Sequence, residues 1–138
     1  MVIREWLTKA ENDLLTAAHI LALGDGCPAE IVCFHAQQCV EKYLKALLVS
    51  QGIPFPKTHD INKVWSLLPP RMRPKLGSKA QKDDLTEYAT VTRYPNSGPD
   101  IPLAEARKAV AIARRVRKEA RRQLPAAALR RGPKERSS

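Results

Sequence analysis

Apolar residues in this chain return at steps of three and four over three long stretches, and nowhere do they alternate convincingly at steps of two. That period admits helices and disfavours sheets, because only a helix brings such positions onto one face. Trp6, Leu7, Ala10, Leu14, Ala17, Ala18 and Leu21 mark a first helix over residues 4–23, ended by Gly24-Asp25-Gly26. Pro28 stands where a second helix begins, and this one runs to about Gln51. Gly52-Ile53-Pro54-Phe55-Pro56 must be extended, since proline restricts both itself and its predecessor.

Thr58 or Asp60 can cap a short third helix through Leu68, and Pro69-Pro70 stops it. A basic loop with Arg71, Arg73 and Lys75 follows. The spacing of Leu85, Tyr88, Ala89 and Thr92 predicts a fourth helix over residues 79–92, and RYPNSGPDIP reads as a loop. Leu103, Ala106, Val110, Ala113, Val116, Ala120 and Leu124 then mark a long fifth helix. The expectation is an all-α bundle of four main helices plus one short helix.

At 138 residues, a single domain is expected over residues 1–124. After Pro125, AAALRRGPKERSS is small and basic with little to pack, so residues 125–138 are expected to form a disordered tail. The longest apolar runs fall far short of the ~20 residues that cross a bilayer, so no membrane partner is expected. The N-terminal MVIREW lacks the layout of a signal peptide, which points to the cytoplasm. Cys27, Cys33 and Cys39 fit neither a disulfide framework nor a zinc site and read as free thiols. No metal or cofactor is expected.

Charge is unevenly spread. Residues 1–100 carry 12 Lys and Arg against 11 Asp and Glu, a net of +1, whereas residues 101–138 carry 12 against 3, a net of +9. Arg107, Arg114, Arg117, Lys118, Arg121 and Arg122 of the last helix would attract the phosphates of RNA or match an acidic partner.

In the second helix, CFHAQQCVEKYLKALLV, an apolar arc of Val32, Cys33, Ala36, Cys39, Val40, Tyr43, Leu44 and Leu47 forms the expected core face. The opposite side carries His35, Gln38, Glu41, Lys42 and Lys45. Of these, His35, Gln38, Lys42 and Lys45 form one stripe at steps of three, four and three. Ile31, Phe34 and Leu48 are interleaved with it, so this side is expected to be covered by a second copy or a partner. The same stripe also suits a merely solvated face.

WLTKAENDLLTAA, FHAQQCVEKYLKALL, GIPFPKTHDI and DDLTEYATVTRYP occur in that order ahead of a closing amphipathic helix. Together they resemble the HEPN family, the helical domains named for nucleotide binding in higher eukaryotes and prokaryotes, over residues 4–122. The resemblance implies an up-and-down bundle that dimerises, with its site near the dimer interface. It also implies pairing with a minimal nucleotidyltransferase, in some cases as toxin and antitoxin, while other members are metal-independent endoribonucleases. Nucleotide or RNA phosphate would then meet His35, Gln38, Lys42, Lys45, His59, Arg93 and Tyr94, with Ile31, Phe34 and Leu48 at the interface.

Catalytic members carry Arg, four to six residues, then His, the Arg binding phosphate and the His moving protons. The matching residue here is Arg93, the candidate catalytic residue, but Gly98, Pro99 and Asp100 stand where the His should fall. No His follows any Arg at that spacing. The expectation is therefore a binding module rather than a self-sufficient ribonuclease. A ribonuclease toxin with a displaced catalytic set and a ligand-free structural adaptor are the alternatives.

Overall fold

The computed structural model describes residues 2–88 and 101–129. Among them there are only helices: α1 Val2–Leu21, α2 Ala29–Ser50, α3 Ile61–Leu67, α4 Lys79–Glu87, α5 Leu103–Gln123 and α6 Ala126–Leu129, with a 3-10 turn at Pro70–Met72. The long helices α1, α2 and α5 make an up-and-down bundle, with α3 and α4 packed against its side.

The turn between α1 and α2 needs glycine. Gly24 and Gly26 have φ of 78° and 89°, a left-handed backbone that side chains disfavour. α2 is the central element, with 14 of its 22 residues buried. Its expected apolar arc is fully buried, from Val32 through Leu47, against Leu7, Ala10 and Ala17 of α1 and Ala106, Val110, Ala113 and Val116 of α5.

The extended segment 52–60 crosses beside α2 before Asp60 caps α3 by accepting from the Lys63 amide. α4 opens with a capping box: Ser78 accepts from the Gln81 amide while the Gln81 side chain accepts from the Ser78 amide. Its described part ends at Glu87; the expected continuation to residue 92 lies outside the described residues.

One expectation changes. The segment expected to be unstructured after Pro125 begins with the helical turn α6, because Pro125 permits a new start and Ala128 packs against the core while its carbonyl accepts from Arg4. The basic loop after α3 is tied down. Arg73 donates to the Leu68 and Ser66 carbonyls and lies over the ring of Trp65, which is also faced by Lys82 and donates to the Pro74 carbonyl. No helix among the described residues is long and apolar enough to cross a membrane. The cysteines are free thiols, and no metal-holding cluster occurs among the described residues.

Candidate functional site

Asp13 is the acid around which the site is built. It sits on the core face of α1, three residues after the buried Ala10 and four before the buried Ala17, and its side chain is only 12% exposed. A carboxylate there must be paired. α2 supplies both partners: His35 Nδ1 lies 2.9 Å from Asp13 Oδ1, and Lys42 Nζ donates to Oδ2. His35 and Lys42 are seven residues apart, two helical turns, so their side chains converge from one face.

The carboxylate can only accept, so His35 Nδ1 carries a proton and Nε2 is left as the open ring position. His35 and Lys42 remain 27% and 19% exposed. The cluster thus offers solvent one imidazole nitrogen and the remaining Lys42 protons, both fixed in direction by Asp13. Phe34 stands edge-on to the His35 ring at 5.3 Å.

The rest of the stripe is used internally. Lys45 is buried; its Nζ lies 2.9 Å from Glu41 Oε2 and 3.0 Å from the Thr58 carbonyl, beside the rings of Trp6 and Phe55. Glu41, also buried, holds His59 Nδ1 at 2.7 Å and Gln37 Nε2 at 3.1 Å. Gln37 in turn reaches the His59 carbonyl and accepts from Gln38 at 2.6 Å. This second cluster fastens segment 52–60 onto α2.

The single stripe foreseen on α2 is therefore two clusters. Lys45, expected to meet phosphate, has no surface to offer one, because Glu41 and Thr58 take its charge and α1 and segment 52–60 cover it. Leu48, expected at an interface, is fully buried within the chain for the same reason: the bundle covers α2 on more than one side. Ile31 is exposed, Phe34 half-buried, and His59 open to solvent although paired with Glu41. Arg93 and Tyr94 lie outside the described residues.

Sequence reasoning missed Asp13 and Gln37 and read Glu41 as a surface acid. Asp13 left a signal, being an acid in register with Ala10 and Ala17. Gln37 left none.

Glu11, on the same helix, reaches the other way. Arg117 Nε lies 2.9 Å from both of its oxygens and Arg121 Nη1 3.0 Å from one, which ties α1 to α5. Beneath these polar groups lies Cys39, whose thiol is pushed up by burial and by the Asp13 charge. Cys33 is likewise pushed up to about 12 by burial. These thiols belong to the core.

Fold and site together define a helical-bundle module whose central helix carries a half-exposed His and Lys fixed by one carboxylate. The HEPN domain model matches residues 3–123. The chain belongs to the HEPN family. Solved structures agree: the TT1696 protein of Thermus thermophilus superposes with a TM-score of 0.69 at 28% identity, covering 88% of this chain and 98% of that one. The archaeal HEPN homologue ST0689 gives a TM-score of 0.63 at 27% identity, over 88% and 96% of the two chains. No curated protein matches.

Proposed function

We propose that this chain is a HEPN module that binds the phosphate of a nucleotide or RNA at the Asp13–His35–Lys42 cluster, and that it works as a dimer with a minimal nucleotidyltransferase. The observation that carries the reading is the shared carboxylate. Asp13 holds Lys42 Nζ and His35 Nδ1 at the same partly exposed spot, so a phosphate oxygen can accept from Lys42 Nζ and, when the ring carries both protons, from His35 Nε2. Gln38, half-buried on the next turn, adds an amide nearby.

The cationic α5 adds attraction of a general kind, with Arg107, Lys108, Arg114, Arg115, Lys118 and Arg122 on it. Cleavage of RNA is not part of the reading, because no Arg in the sequence is followed by a His after four to six intervening residues. Toxin–antitoxin pairing fits the module but rests on the family resemblance alone.

Binding of labelled ATP and of a short single-stranded RNA should be measured with the wild type, His35→Gln and Lys42→Met. Each substitution is expected to weaken binding by roughly tenfold with the helical signal unchanged, the loss of one charge-assisted hydrogen bond. Unchanged affinity in both variants would sink the phosphate site. A tagged pull-down at moderate salt tests the partnership, which predicts a stoichiometric small nucleotidyltransferase; a homodimer recovered alone counts against it.

A further inference from the structure

A groove of about 690 Å3 runs between α1 and α5, away from the Asp13 cluster. Its α1 wall is apolar, made by Leu14, Leu15 and Ala18, and Leu15 is 70% exposed. Its α5 wall is cationic. Arg117 and Arg121 share Glu11, whereas Arg114 and Lys118 have no ion pair among the described residues. Four cations against one carboxylate leave a net of three positive charges beside an exposed leucine.

We propose that this groove docks a short acidic helix of a partner protein. One or two leucine-like side chains of that helix would lie against Leu14, Leu15 and Ala18, and its carboxylates would meet Arg114 and Lys118. From Glu11 to Ala18, and from Arg114 to Arg121, each wall runs roughly 10 Å, the length of two helical turns. An amphipathic helix laid in such a groove removes Leu15 from water and pairs these cations in one step.

The charges choose the occupant. A second copy presenting the same groove would set like charges against one another. The residues of this chain beyond Leu129 include Arg130, Arg131, Lys134 and Arg136 against one acid, Glu135, and would be repelled. RNA satisfies the cations but leaves Leu15 uncovered, and the groove has no aromatic ring on which a base can stack. The inference stands apart from the Asp13–His35–Lys42 cluster, which lines no part of this groove, although Arg114 and Lys118 also belong to the cationic face of α5.

The test is fluorescence anisotropy with the full chain and a labelled amphipathic helical peptide carrying leucines on one face and glutamates on the flanks. Two competitors are used: the same peptide with every leucine replaced by serine, and a single-stranded RNA of equal charge. The leucine peptide should bind at least roughly tenfold tighter than the serine peptide. Lys118→Glu and Leu15→Ser should each weaken it severalfold, with the fold intact, as circular dichroism would verify.

Equal affinity for the two peptides overturns the proposal. So does RNA that displaces the leucine peptide and is weakened by Lys118→Glu but not by Leu15→Ser, which would make the groove a nucleic-acid track. A dimer that Leu15→Ser turns into monomers would assign the face to a second copy instead.

Discussion

Asp13 is a side chain whose neighbours stand to lose more than it does. It neutralises Lys42 and orients His35 inside a helix–helix contact, so Asp13→Asn leaves a partly buried ammonium without its counter-charge. A loss of about 2 kcal/mol in urea-unfolding stability is expected, the usual size for a charge-assisted hydrogen bond. Lys42→Met should cost less, because His35 still partners the acid and the aliphatic stem is kept. If the two variants proved equally stable, Asp13 would not be the organising residue. Thiols give a separate check on burial. Cys33 and Cys39 are buried and held protonated, while Cys27 is half-buried. A thiol reagent at neutral pH should modify one cysteine of the native protein and all three after denaturation. His35 and Lys42 were legible because helical spacing alone aligns them. Asp13 was harder to find: its partners come from 22 and 29 residues away, and spacing within one helix says nothing about what a second helix brings.

At the level of elements, α2 owes its character to being enclosed. Its apolar arc announced one buried face, but the polar residues on the other side are also covered where segment 52–60 lies over them. Glu41 and Lys45 exist there as a pair, 3% and 7% exposed. Removing one member leaves the other charge buried, so Glu41→Gln should cost about 3 kcal/mol and speed amide exchange across residues 52–60. The double variant Glu41→Leu/Lys45→Leu should recover much of that loss; if it does not, the pair is not the cause. The start of α4 offers a smaller test. Ser78→Ala breaks its capping box and should lower stability by about 1 kcal/mol. Helix number and order were readable because proline and glycine punctuate the chain wherever periodicity stops. α6 escaped because its single turn is held by packing and by Arg4, 124 residues upstream of Ala128, and not by its own composition.

For the whole molecule, the buried acids set an upper limit on tolerated pH. Burial raises the thiol of Cys33 from 9.0 to about 12, and it raises Tyr43 and Tyr88 above the ordinary phenol value. A raised value means that the folded chain keeps these protons where the unfolded chain would release them. Their contribution is therefore complete below about pH 9 and is lost progressively as pH climbs toward 12. Urea midpoints should be level up to about pH 9 and fall steadily above it; a flat profile to about pH 11 would contradict this. The two tryptophans have a further use. Trp6 lies 5.5 Å from the Lys45 ammonium and meets Phe55 edge-on, within the same knot that holds segment 52–60. Trp65 sits under Arg73 and Lys82 at the joint between α3 and α4. The protein thus carries a built-in optical probe for each region. In a Trp65→Phe background, emission from Trp6 alone would report the moment at which segment 52–60 lifts from α2, with no dye attached.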